Sequence, residues 1–127
     1  MKSYLLDTNV LIYYFNGDMA DGVKNSVSAI MRENFQISVI SKMEFLGFPF
    51  SLQEKQKAIQ FIKYASVKPL SDEVVQRVID IRQERRIKLP DAIIAATAIQ
   101  CAAVLVTRNT KDFNGLVLET YNPFEEG

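Results

Sequence analysis

The side chains able to do chemistry in this sequence are oxygen donors. The chain holds no histidine and a single cysteine, Cys101, which excludes an internal disulfide and the usual zinc ligand sets. With no histidine to activate it, Cys101 reads as a small buried residue near a helix end and not as a nucleophile. The carboxylates are the other candidates: Asp7, Glu44, Asp91 and Asp112, with Asn109 just before the last. Brought together, such groups can hold a hard cation through oxygen or move a proton. Each also has a plainer reading. Asp7 or Thr8 fits a helix N-cap, and Ser41-Lys42-Met43-Glu44 fits a capping box in which the glutamate returns to the cap residue's amide. Asp91 sits in a helix's first turn, where the dipole favours a carboxylate, and Asp112 suits a turn. Separate structural roles do not require these acids to meet, whereas a shared chemistry does.

The elements that would bring them together follow from periodicity. Ser3 to Leu6 predicts a strand, and helix spacing follows Asp7-Thr8-Asn9 from Val10 to Phe15. A second helix is predicted over Val23 to Arg32, a β-branched strand over Phe35 to Ile40, and a helix over Ser41 to Leu46. Gly47-Phe48-Pro49-Phe50 interrupts that helix before Leu52 to Tyr64, so a helical hairpin is expected. A brief strand at Val67 to Leu70 precedes a helix capped by Ser71 or Asp72 and running from Glu73 to about Arg86. Pro90 suits the first turn of the next helix, Asp91 to Gln100, after which Ala102 to Thr107 and Leu116 to Leu118 predict two more strands. Apolar strands separated by helices imply an α/β protein with a parallel sheet covered on both faces. In such a sheet ligands bind beyond the carboxyl ends of the strands. Asp7, Glu44, Asp91, Asn109 and Asp112 all lie where that edge would be.

At this point the residues resemble a known family. LLDTNVLI around Asp7, SKMEF around Glu44, LPDAIIAATA around Asp91 and LVTRNTKDF around Asn109 are similar, in order and spacing, to the motif series of PIN-domain nucleases. The likeness spans nearly the whole chain, and its size is similar to that of VapC-type toxins, ribonucleases neutralised by a cognate antitoxin. The resemblance implies a three-layer fold with a central, mostly parallel sheet. It places Asp7, Glu44 and Asp91 at the principal acidic positions, with Asn9 and Thr107 as polar supports. The fourth acidic position departs from the family pattern: it is Asn109 here, with Asp112 three residues later as a substitute, so one or two metals are left open. Mg²⁺, or Mn²⁺ in its place, fits such a set because magnesium takes one or two carboxylates, keeps several waters and shares the substrate phosphate. Asp7 and Asp91 are the first choices as ligands, while Glu44 ligates a second ion or accepts a proton from the attacking water. Asp112 is a further ligand candidate. The activity implied is Mg²⁺-dependent hydrolysis of RNA by a toxin. Housekeeping RNA processing and a noncatalytic binding module are the alternatives. A haloacid-dehalogenase-like phosphatase does not fit, because Asn9 cannot serve as the acid two positions after Asp7.

Partners are read from charge and apolar surface. Fifteen basic residues balance fifteen acidic ones, so RNA binding must rest on a local patch. Arg82, Arg85, Arg86 and Lys88 precede Asp91, and Arg108 and Lys111 flank Asn109; these cations are positioned for phosphates or simply solvate a helix end. Tyr13, Tyr14 and Phe15 are too close in sequence to share one helix face. Phe45, Phe48 and Phe50 around Pro49 suggest an interface, and the resemblance implies a homodimer and an antitoxin laid across exposed apolar grooves. At 127 residues and 48% hydrophobic composition, one domain over residues 1–127 is expected, with fraying from about 121. No apolar run nears the roughly 20 residues that span a bilayer. The N-terminal apolar stretch contains Asp7 and Asn9 and so reads as a buried strand, and the expected compartment is the reducing cytoplasm.

Overall fold

The structure, a computed structural model, describes residues 2–125. Strand β1 (Ser3–Leu6) leads into α1 (Thr8–Asn16) and α2 (Asp21–Asn34), then β2 (Gln36–Ser38), α3 (Val39–Leu46) and α4 (Leu52–Ile62). There follow β3 (Ser66–Lys68), α5 (Asp72–Glu84), α6 (Leu89–Gln100), β4 (Ala103–Val106), a 3₁₀ turn at Thr110–Phe113, β5 (Thr120–Tyr121) and a second 3₁₀ turn at Pro123–Glu125. Gly17 takes the left-handed conformation (φ 75°) that ends α1, with its N–H directed back to the last turn.

The described strand pairings are parallel. β1 pairs with β4 from Ser3↔Ala103 to Leu6↔Val106, β4 pairs with β5, and β2 pairs with β3. β2 is joined to β1 through a side chain: Gln36 Nε2 donates to the Tyr4 carbonyl at 2.9 Å, while Asn34 Oδ1 accepts from the Tyr4 amide at 2.9 Å. These bonds occupy backbone groups that an ordinary ladder would otherwise use.

Alternation along the strands divides the core into two faces. Leu6, Ile37 and Val106 pack with Val10, Leu11, Val23, Val27, Phe45 and Ala58, from α1 to α4. Leu5 and Leu105 point the other way, against Ile94, Ala95 and Ala98 of α6, and α5 closes that side through Val74, Val78 and Ile81. Helices therefore cover both faces of a parallel sheet, the α/β arrangement that the apolar strands imply. The alanines of α6 let its backbone approach the sheet closely.

Several boundaries differ from the sequence reading, for identifiable reasons. α3 begins at Val39 because Ser38, not Ser41, caps it, its hydroxyl accepting from the Ile40 amide at 3.2 Å. The last strand is Thr120–Tyr121 and not Leu116 to Leu118. There the Leu116 and Leu118 amides turn back to the Phe113 and Leu116 carbonyls, while the two leucine side chains pack beside α6. Beyond Tyr121, where fraying is expected, Phe124 packs on Tyr13 with ring centroids 5.5 Å apart; residues 126–127 lie outside the described part. The three hairpin phenylalanines also divide differently. Phe45 is fully buried and Phe50 is half-buried against it, which leaves Phe48 exposed. The expected aromatic interface is thus largely core. Among the described residues, no helix is long and apolar enough to cross a membrane.

Candidate active site

Asp7 is the first residue beyond β1, and its amide continues the ladder by donating to the Val106 carbonyl at 2.9 Å. Its side chain begins α1 as an N-cap, but it accepts from the adjacent Thr8 amide (Oδ1, 2.8 Å) and not from the second or third helical amide that a cap usually serves. The other oxygen, Oδ2, accepts from Thr107 Oγ1 at 2.8 Å. Thr107 follows β4, which neighbours β1, so parallel pairing brings these two residues to one sheet edge. The carboxylate is buried at 6% exposure, and its pKa is pushed up to about 6. Loss of water is the main cause. The charges of Asp91 and Glu44 add to it, and the bonds from Thr107 and Thr8 oppose it.

Glu44 reaches the same place from α3. Thr8 Oγ1 lies 2.7 Å from Glu44 Oε1 and 2.9 Å from Ser41 Oγ. Ser41 is completely buried inside the helix, so the capping-box reading of Ser41 and Glu44 is wrong. The capping box lies instead at Ser51 and Glu54, where both reciprocal bonds are present. Thr8 and Ser41 are the site residues that sequence reasoning assigned to capping. Their signal was a hydroxyl directly after Asp7 and another one helical turn before Glu44.

Asp91 stands half-buried in the first turn of α6, directly after Pro90. Its pKa is raised by burial and by the charges of Asp112 and Glu44, against a smaller opposing effect of Lys88. Asp112 lies exposed in the first 3₁₀ turn, where its charge is felt at Asp91. Asn109 is exposed too, and its amide donates to Thr107 Oγ1 at 3.0 Å. Asn109 thus supports Thr107 through its backbone, while the Asp112 charge acts on Asp91. Asn9 Oδ1 is buried without a hydrogen-bond partner among the described residues, an arrangement that costs roughly 1–3 kcal/mol unless something occupies it.

The cations are less uniform than their spacing suggests. Arg82 Nε donates to the Ile87 carbonyl at 3.3 Å, and Arg85 donates to the Asn114 carbonyl, so both hold loops. Arg86, Lys88 and Lys111 are exposed, and Arg108 lies over two aromatic rings. Of the α1 aromatics, Phe15 enters the core, Tyr14 stacks on Phe61, and Tyr13 faces Arg108.

This donor set is oxygen-only and acidic, and its central carboxylate is buried without a cationic partner among the described residues. No three described Asp, Glu, His or Cys side chains already form a metal cage. The arrangement therefore fits a hard cation that takes one or two carboxylates and keeps its waters. Thr107→Val should raise the Asp7 midpoint above about 6, because it removes a donor that favours the ionised form. Carbonyl-carbon NMR titration of metal-free protein checks this, and an unmoved midpoint would contradict the assigned bond.

Comparison with known proteins identifies the family and the fold. The family model for the PIN domain matches residues 4–116. A toxin–antitoxin complex from Klebsiella pneumoniae superposes with TM-score 0.81 at 34% identity, over 95% of this chain and 98% of that one. VapBC2 from Rickettsia felis, bound to a DNA fragment from its promoter, gives 0.80 at 25% identity, over 94% and 98%. DNA-bound VapBC from Salmonella typhimurium gives 0.80 at 22% identity, over 97% and 99%. No curated protein matches the chain.

Proposed function

The chain belongs to the PIN-domain family, and on that premise we propose that it is a VapC-type toxin, a nuclease that hydrolyses phosphodiester bonds in RNA with Mg²⁺ or Mn²⁺. The observation that carries this reading is the meeting of Asp7, Glu44 and Asp91, from three separate elements, at the carboxyl edge of a parallel sheet, where the charges of Asp91 and Glu44 act on Asp7 and that of Glu44 acts on Asp91.

Asp7 and Asp91 would hold the cation, with Asp112 beside them. When bound, it supplies a Lewis acid that lowers the pKa of a water and offsets charge on the phosphate. The chain's own residues do the rest. Thr107 and the Thr8 amide fix the two Asp7 oxygens in direction. The Thr8 hydroxyl, itself bonded to that of Ser41, holds Glu44 facing the same edge, where its carboxylate can take a proton from the attacking water. The exposed Arg86, Lys88 and Lys111 suit contacts to RNA phosphates.

The partners under this reading are RNA, an antitoxin and a second copy of the chain. Leu52 (83% exposed), Met43 (57%) and Phe48 (37%), around the α3–α4 turn, offer apolar surface for an antitoxin segment. The metal assignment is tested by titration calorimetry with Mg²⁺ and Mn²⁺. Wild type should bind, and the Asp7→Asn, Asp91→Asn double variant, checked for folding by circular dichroism, should not. Equal affinity in the two proteins would rule the site out.

A further inference from the structure

We infer that Arg108 is a preset phosphate contact for the RNA chain, and that the C-terminal segment, through Asn122 and Phe124, holds it ready. The inference rests on the nucleolytic reading above but concerns residues outside the acidic centre. Arg108 follows Thr107, whose hydroxyl bonds Asp7, so its backbone is fixed at the edge of the site. Its guanidinium lies over the Tyr13 ring at 5.0 Å and the Phe124 ring at 4.9 Å. Those two rings meet edge to face, with centroids 5.5 Å apart at 69°. The backbone is held from the same side. Asn122 Nδ2 donates to the Arg108 carbonyl at 3.2 Å, Asn122 Oδ1 accepts from the Phe124 amide at 2.9 Å, and the Thr107 amide donates to the Tyr121 carbonyl at 3.0 Å.

Three features separate this arginine from a mere anchor. It remains exposed despite the two rings. Among the described residues it has no carboxylate partner, the one ion pair being Lys2 with Glu119. Its nearby counterparts Arg82 and Arg85 already donate to carbonyls. A ring attracts the cation without supplying a carbonyl or carboxylate acceptor, so the guanidinium keeps N–H donors for a phosphate. Holding the side chain in advance also lowers the rotamer entropy lost on binding.

The test uses the full chain and a fluorescently labelled single-stranded polyuridylate, with anisotropy read across a salt series. Cleavage is suppressed by Asp7→Asn in every protein compared. Arg108→Gln should weaken binding about tenfold, the size expected for hydrogen bonds to a charged group, and lower the slope of log affinity against log salt by about 0.7. Phe124→Leu retains the charge, so it should weaken binding a few-fold and leave the slope unchanged. Arg108→Lys should restore the slope but not the full affinity. Unchanged affinity and slope in Arg108→Gln, with wild type active on RNA, would overturn this inference alone and leave Arg108 an anchor for the C-terminal turn. A wild-type protein that neither binds nor cuts RNA would overturn the nucleolytic reading and this inference with it.

Discussion

Asp7→Asn is expected to abolish the nuclease while making the metal-free protein more stable above pH 6. The two effects share one cause. Burial raises the folded-state pKa of Asp7 from the ordinary 3.8 to about 6, so the folded chain holds a proton that the unfolded chain has already released. The contribution of Asp7 to stability is therefore most favourable below about pH 4, falls as pH rises through the interval up to 6, and stays reduced above it. A shift of that size corresponds to roughly 3 kcal/mol. Asparagine does not titrate, so it escapes this loss. Its single oxygen, however, cannot serve both Thr8 and Thr107 as well as a carboxylate does, and the gain will be smaller than the full figure. Urea denaturation of both proteins at pH 8 and pH 4 measures the effect, and the advantage of the variant should disappear at the lower pH. A pH-independent difference would contradict the assignment. Mg²⁺ should stabilise wild type only. The nucleolytic rate should fall by at least about 100-fold, the upper range for losing a group that supports a metal site.

The second large effect is on the fold. Phe45→Ala should lower stability by about 3–5 kcal/mol, the usual cost of removing a buried phenylalanine. The ring is fully buried, and its centroid lies 5.5 Å from Phe15, 5.5 Å from Phe50 and 5.8 Å from Phe61. It therefore joins α1, α3 and α4 on one face of the sheet. For a domain of ordinary stability, about 5–15 kcal/mol, this is a large share of the total. The urea midpoint should drop with the slope unchanged. Phe48→Ala, at an exposed neighbour, should cost under about 1 kcal/mol. Equal costs at both positions would contradict the division between core and surface.

These two residues also show what the sequence makes legible. Asp7 could be located because strand, acid and helix follow one another directly, and parallel pairing then determines that Thr107 stands beside it. The helices with clear apolar faces, α2 and α5, were legible for the same reason. Where short-range chemistry is ambiguous, the reading failed. Ser41 and Glu44 carry the spacing of a capping box, and only the position of Ser38 shows that the helix began earlier. Phe45 and Phe48 are both aromatic and close in sequence, and which of them faces the core depends on how α3 packs on α1, a long-range fact. Leu116 and Leu118 are apolar enough for a strand, but their amides bond locally. The expectation that Arg85 contacts RNA met a similar limit, since its carbonyl partner Asn114 lies far away in the chain.

The proposed assignment makes Asp7, Glu44 and Asp91 one metal-dependent centre for cutting RNA. Its most direct measurement is cleavage of several single-stranded RNAs by purified wild type with Mg²⁺ and with Mn²⁺, after chelation, and after the metal is restored, alongside the Asp7→Asn, Glu44→Gln and Asp91→Asn proteins purified identically. Cleavage should stop on chelation, return with the metal, and be lost by at least about 100-fold in the Asp7 and Asp91 variants, with Glu44→Gln also strongly impaired. Asp112→Asn should be impaired less. Wild type that cuts no faster than Asp7→Asn under every condition, with both proteins folded, would contradict it.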